Sequence, residues 1–280
     1  MWTNFHTHTS YCDGKGSFQD FIGVGKTISL GFSSHAPLPF STSWAMKSEL
    51  LSDYLNQIQQ LKEIVKSTEI YAGLEVDYIP GAIAPTDFKN FDYTVGSIHF
   101  VDSFINGVPW EIDGLHSLFL QGLDSIFNNN PQKAWGRYFE LTREMIREAP
   151  PTILGHLDKM KIQNTDSKFF SESETWYRNE IKETIAAIKQ TNIVVEVNTR
   201  GIYQKKSATT YPSPWILELV KESGIPITLS SDAHHPQHLI SEFESTAQLL
   251  ANIGFKKISI LTQGQWKEVN FSQNGIQLES

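Results

Sequence analysis

A lone cysteine, Cys12, excludes an internal disulfide in this 280-residue chain and fits a reducing compartment such as the cytoplasm. No apolar run approaches the roughly 20 residues needed to cross a bilayer. The first residues lack the basic segment and following apolar stretch of a secretory leader, so a cytoplasmic protein without a membrane partner is expected. Basic residues are also in deficit: 23 Lys and Arg stand against 31 Asp and Glu, a net charge of −8. That sign argues against a nucleic-acid partner, whose phosphates want a basic surface. It suits a host for divalent cations, which offset part of the charge. Oligomeric state leaves no signal in the composition.

Apolar runs alternate with longer amphipathic segments. Strands are expected near residues 2–8, 31–35, 70–76, 92–99, 152–157, 193–198 and 226–232, and weakly at 257–261. Helices are expected near 17–29, 46–67, 131–149, 171–190, 212–223 and 236–252. Ser17, with Asp20 three residues on, is a candidate cap for the first helix. Gly31, Gly224 and Gly254 stand where a helix ends on a left-handed residue. Such alternation predicts βαβ units around a parallel sheet, and seven or eight repeats suggest an α/β barrel. No composition shift marks a linker, so residues 1–280 read as a single domain. Two stretches break the rhythm, 100–130 and 201–213, and both read as long loops over one face of the barrel.

Nine histidines are unremarkable in number, but seven of them end strand-like runs. In His6-Thr7-His8 the period of two puts both rings on one face, and Asp232-Ala233-His234 repeats that spacing on the last core strand. Glu75 interrupts the apolar run IYAGLEVDY and reads as a buried, paired carboxylate able to bridge two ions. His35, His99 and His156 each close a strand. One alone would more often be a satisfied core residue; in register with the others they read as ligands. Asp13, before Gly14, is either a ligand or a turn former, with Cys12 a weaker competitor. A ring of unpartnered His and carboxylate groups is costly to bury unless the groups share metal ions at the carboxyl ends of the strands, where barrel active sites lie. Mixed His and carboxylate donors suit zinc, iron or manganese.

Arg200 has the fork that recognises phosphate, against a loop salt bridge as the plainer reading. Lys159 and Lys161 are further candidates to face the site, and His235 is a candidate phosphate contact or proton donor. Glu111 and Asp113, with Trp110, lie on the 100–130 excursion and are candidate substrate contacts. Asp77 reads as a loop residue, and His116 and His238 as ordinary.

Taken together, FHTHTSYCDG, GLEVDY, VGSIHF, GHLDK, EVNTRG and SSDAHHP resemble the PHP superfamily and, within it, the monofunctional histidinol-phosphate phosphatases. The resemblance runs through nearly the whole chain. It implies a distorted seven-stranded barrel, TIM-barrel-like, with a trinuclear centre of two to three divalent ions. By position, His6, His8, Glu75 and Asp232 would hold one ion. Glu75 would bridge to a second, completed by His99 and His156, and Asp13, His35 and His234 would hold the third. Two departures stand out: Asp13 where many relatives carry His, and Asn4 where many carry Asp. The implied activity is hydrolysis of L-histidinol phosphate in histidine biosynthesis, by in-line attack of a hydroxide shared between ions. Arg200 would neutralise phosphoryl charge, His235 would protonate the leaving group, and Asp232 would act at the ions. Another PHP phosphoesterase, acting on nucleotides or other small phosphate esters, would share this core. An amidohydrolase would use a modified lysine where Glu75 stands, and a non-enzymatic PHP domain would have lost ligands.

Overall fold

The computed structural model describes residues 1–278. Its strands in chain order are β1 (Trp2–Asn4), β2 (Thr27–Phe32), β3 (Glu69–Asp77), β4 (Tyr93–Ser97), β5 (Phe100–Ser103), β6 (Pro109–Glu111), β7 (Ile153–Leu154), β8 (Val194–Asn198), β9 (Ile227–Ser230), β10 (Lys257–Thr262), β11 (Gln265–Ser272) and β12 (Gly275–Gln277). Seven of these form one sheet in the order β1-β2-β3-β4-β7-β8-β9, every neighbour parallel. A parallel bridge between Thr7 and Ala233 joins the first strand to the last. There His8 N–H donates to Ala233 O (2.8 Å) and Ala233 N–H to His6 O (3.1 Å). The fold is therefore the expected seven-stranded α/β barrel.

The helices are α1 (Phe18–Phe21), α2 (Leu51–Ile64), α3 (His116–Phe127), α4 (Pro131–Glu148), α5 (Thr175–Ile188), α6 (Arg200–Tyr203), α7 (Pro214–Glu222) and α8 (Phe243–Ile253). The long ones lay one apolar stripe on the sheet, as Tyr54, Ile58 and Leu61 do from α2. The Asn130 side chain accepts from Lys133 N–H at the start of α4, with Pro131 in the first turn, where its missing N–H costs nothing.

Four local expectations change. The helix expected over 17–29 stops after one turn, because Gly23 and Gly25 adopt φ of 80° and 68°. The Asp20 carboxylate accepts from the Ser17 N–H and hydroxyl, both at 2.7 Å. Gly31 ends no helix; it lies within β2. Residues 100–130 are an antiparallel hairpin, β5 with β6, followed by α3, whose buried face is Phe119, Gly122, Leu123 and Phe127. Finally, 257–261 is a strand but not an eighth stave: β10 pairs antiparallel with β11, and β11 with β12.

That second sheet plugs the amino end of the barrel. Trp266 meets Phe5 edge-on (5.2 Å between centroids), and Phe5 meets Tyr93 (5.9 Å). Gly31 and Gly73 leave the room that the Tyr93 ring fills; a β-carbon at either would collide with it. The Tyr93 hydroxyl donates to Phe5 O (2.8 Å). With this layer closed by packing, the opposite mouth is left to carry the polar side chains.

Candidate metal centre

The extended backbone beyond β1 aims His6 and His8 inward, both fully buried. Between them and the next staves stands Glu75 of β3, also buried. Its Oε2 lies 2.9 Å from His35 Nδ1, 3.2 Å from His6 Nε2 and 3.4 Å from His8 Nε2. Its Oε1 lies 2.9 Å from His156 Nε2 and 3.7 Å from His99 Nε2. Five imidazoles thus converge on one carboxylate. Asp232 Oδ1 approaches His8 Nε2 (3.2 Å) and His6 Nε2 (3.7 Å). Asp13 Oδ1 lies 3.2 Å from His234 Nε2 and 3.8 Å from His35 Nε2.

Donor atoms close enough to share an ion fall into three groups: His6, His8 and Asp232; His35, Glu75 and His99; and His8, Asp13, His35 and His234. All nine expected ligands are brought together at the carboxyl ends of the strands. The partition differs from the implied one. Glu75 groups with His35 and His99 but not with His6, His8 and Asp232, and His8 also joins Asp13, His35 and His234. His156 enters none of the three groups and meets Glu75 instead (2.9 Å), while His35 faces both Glu75 and Asp13. Among buried atoms with no hydrogen-bond partner are His6 Nε2, His8 Nε2, His35 Nδ1 and Asp13 Oδ1. Unpartnered polar atoms are expensive to bury, and here they cluster together, which fits a site for cations.

A second shell orients the rings. His6 Nδ1–H donates to Glu196 Oε1 (2.6 Å), which leaves Nε2 with a free lone pair on the ligand side. Glu196 Oε2 accepts from His156 N–H (2.7 Å), and Ser230 donates to Oε1 (2.7 Å). His99 Nδ1–H donates to Asp77 Oδ1 (3.1 Å), and His99 N–H donates to the same oxygen (2.8 Å). Carboxylates behind ligating histidines are the usual device for setting tautomer and basicity. The sequence reading missed Glu196 and took Asp77 for a loop residue, whereas Asp77 is buried on β3. Asn4, flagged as the uncharged departure behind His6, accepts from the His6 backbone N–H (2.9 Å) and donates to Ser231 and Leu239 O. It does not touch the ring; Glu196 supplies the charge there.

The electrostatics follow from the crowding. Burial alone would raise the Glu75 carboxyl, yet His6, His35, His99 and His156 hold it well below the ordinary carboxylate range. Asp232 is likewise held low against burial, by Arg200 and His6 foremost. Burial lowers His8 well below its usual value, helped by His234 and His35. His99, despite burial, is pushed up to about 10 by Asp77 and Glu75. Cys12 lies 3.5 Å from His8 Nδ1, and burial with Asp13 beside it pushes its thiol to about 11, which disfavours the thiolate a metal would need.

The ligands floor an open pocket whose walls include Trp44, Glu111, Asp113, Lys159, Arg200 and Lys206. Arg200 donates to Asp232 O (2.6 Å) and to His234 Nδ1, so it is tied to the ligand loop rather than to a surface salt bridge. Lys159 Nζ sits 3.5 Å from Asp113 and 3.8 Å from Asp232. Glu111 is raised by burial and by Asp113. Ile112 between them is anchored by donating its N–H to His99 O (2.9 Å).

Three candidates lie elsewhere. Trp110 is buried against Phe119 and Gly122 of α3, away from the pocket, because its hairpin strand turns the indole into the core. Lys161 points away, donating to Thr210 O and Ser213 and pairing with buried Asp158, because the turn after His156 carries alternate lysines to opposite sides. His235 is exposed and accepts from Gln237 N–H to cap the turn at Pro236. Since 232 and 234 face inward, its odd position turns it outward. His116 and His238 stay outside the site, bonded to Gln163 and Gln237. Trp44, Gln204 and Lys206 line the pocket without having been anticipated.

A family model for the PHP domain matches residues 4–200. The match ends short of Asp232 and His234, which the barrel nevertheless brings to His8. A probable histidinol-phosphatase of Deinococcus radiodurans is 25% identical over 266 residues, 91% of this chain and 94% of that protein. The histidinol-phosphatase of Bacillus subtilis is 25% identical over 255 residues, 82% and 92% of the two chains. Among solved structures, histidinol phosphate phosphatase from Lactococcus lactis, complexed with zinc, L-histidinol and phosphate, superposes with a TM-score of 0.69. It is 18% identical and 99% of each chain is covered. At that identity the likeness speaks for the fold.

Proposed function

The chain belongs to the PHP domain family, and on that footing we propose that it is a metal-dependent phosphomonoesterase that hydrolyses L-histidinol phosphate to L-histidinol and phosphate. The observation that carries this reading is the convergence of five imidazoles on Glu75, with orphaned nitrogens facing one another. We assign His6, His8, Asp13, His35, Glu75, His99, His156, Asp232 and His234 as the ligands of two to three ions of zinc, iron or manganese. Such ions lower the pKa of water toward neutrality and neutralise phosphoryl oxygens.

The protein's own groups do the rest. Glu196 and Asp77 hold His6 and His99 in the tautomer whose Nε2 is free. Arg200, braced by Asp232 O, presents its remaining N–H groups to equatorial phosphoryl oxygens, and Lys159 adds a second cation at the same wall. Glu111 ends β6, Asp113 lies two residues beyond it, and both line the same pocket. Two carboxylates so placed favour a substrate whose organic end is a cation, as the ammonium of histidinol is. They disfavour a nucleoside monophosphate, which offers them no positive charge. The names of the Deinococcus and Bacillus relatives, and the zinc, histidinol and phosphate bound by the Lactococcus protein, support the same choice.

The deciding measurement is kcat/KM of the metal-loaded enzyme on L-histidinol phosphate against a panel of nucleoside monophosphates. We expect a preference of about 10²-fold or more, the scale a site built on buried polar contacts can reach. Equal turnover of nucleotides would replace this substrate with the broader phosphoesterase reading.

A further inference from the structure

We infer that Trp44 is the platform for a flat ring on the substrate's organic end, and so the residue that selects a ring-bearing ester. This inference rests on the phosphomonoesterase reading above.

Trp44 lies on the irregular stretch that follows His35, and that stretch is tied at both ends. Ala36 N–H donates to Glu75 O (2.8 Å) and Met46 N–H to His35 O (3.2 Å). Met46 itself is buried, and the Thr42 hydroxyl accepts from Ala45 N–H (3.1 Å). The indole is thereby delivered to the metal ligands. Its ring centroid lies 4.5 Å from that of His35 and 5.6 Å from that of His99, both edge to face. It also lies nearly parallel to Phe100, with 9° between planes and 5.8 Å between centroids. Phe40 braces Phe100 from the edge (5.0 Å).

Apart from the ligand histidines, the aromatic side chains that line the pocket are Trp44 and Tyr211. Tyr211 is only 1% exposed, and the ammonium groups of Lys159 and Lys161 stand 5.6 and 5.1 Å from its ring centre. It has no face to offer. Ile162, which also lines the pocket, has no π face. Trp44 is half-buried and keeps part of its ring open to a ligand.

The position suits the substrate's shape. Phe100 pairs across the hairpin with Glu111, so the indole stacked on Phe100 and the Glu111 carboxylate share one wall. Arg200 holds the other flank, against Asp232 and His234. In histidinol phosphate the phosphate and the imidazole are each a methylene away from the carbon that bears the ammonium. With the phosphoryl group at Arg200 and the ammonium at Glu111, the imidazole falls beside the indole. Contact between two such rings is favourable beyond the apolar area it covers, and a protonated imidazole adds the attraction of a cation for the π face.

The metal-loaded enzyme is assayed on L-histidinol phosphate, on L-phenylalaninol phosphate, which keeps a flat ring, and on L-alaninol phosphate, which keeps the ammonium and has no ring. Wild type should prefer both ring-bearing esters. Trp44→Ala should lower kcat/KM on those two by about 10–100-fold, chiefly through KM, the scale of removing an aromatic ring from a stacked heterocycle. It should leave the alaninol ester nearly unchanged, with metal content by elemental analysis also unchanged. Trp44→Leu, which keeps an apolar body against Phe100, should lose the same preference, and Trp44→Phe should keep most of it. Equal losses on all three esters, or lost metal, would make Trp44 a prop for His35 and His99 and overturn the inference. So would a ring preference that survives in Trp44→Leu. If wild type prefers nucleoside monophosphates, the histidinol reading fails by itself; the same variants on adenosine monophosphate against glycerol phosphate, ring-bearing against ringless, still decide Trp44. A wild-type enzyme that hydrolyses no phosphate ester would take both readings down.

Discussion

Two layers of the same barrel interior, one residue apart along the chain, are built on opposite terms. Phe5 faces the amino end, where Tyr93, Tyr71 and Trp266 close around it edge to face. His6 faces the carboxyl end, among Glu75, Glu196 and Asp232. Both layers are buried. In the lower one the Tyr93 hydroxyl has its carbonyl partner. In the upper one several ring nitrogens have none. Packing alone accounts for the first. The second is costly unless something charged completes it, and that contrast is the argument for a cation site.

The sharpest way to break the contrast is to remove the shared carboxylate. Glu75→Ala should reduce phosphatase activity to background and lower the metal content measured by elemental analysis, with circular dichroism unchanged. Activity near wild type would take Glu75 out of the site. Next in size, Glu196→Gln should cost about 10–100-fold in metal affinity or kcat, the usual effect of a group behind a ligand; a metal titration that shows no shift would reduce Glu196 to a packing residue.

The lower layer should answer to a different assay. Tyr93→Ala should cost about 3–5 kcal/mol in urea unfolding, the range for large aromatic truncations, while the metal stoichiometry of the folded protein stays the same. Loss of metal at unchanged stability would show that the two layers are not separable. The smallest effect is expected at His235. His235→Ala should leave kcat and KM within about twofold, since exposed groups away from the site contribute little. A large loss would return it to the pocket.

Much of the upper layer was legible because strand periodicity is simple. His6 with His8, and Asp232 with His234, are two apart, and the structure puts each pair on the inner face. The rule that singled out Glu75, a carboxylate inside an apolar run, applies equally to Glu196 in VVEVN. Asp77 shares the parity of Glu75, and nothing local in the sequence shows that β3 extends as far as its position. Helix α3 was hidden by the glycines and asparagines around it. Gly122 lies within it because the Trp110 indole packs on that turn, a tertiary reason with no local trace. The same holds for β11 and β12, whose role appears only once Trp266 reaches Phe5. His235 went the other way: a neighbour of two ligands in sequence, it is turned from them in space by a backbone that alternates.

The seam of the barrel gives one more result. Thr7 and Ala233, paired at the closure, are each flanked by ligands, so the stitch that shuts the ring also assembles the catalyst. The Asn4 to Ser231 bond beside it spans 227 positions, and contacts that distant form late and slowly. A chain still growing from the ribosome holds its first two histidines for most of its length before Asp232 and His234 exist to join them. The competent centre thus doubles as an internal certificate that folding has gone to completion.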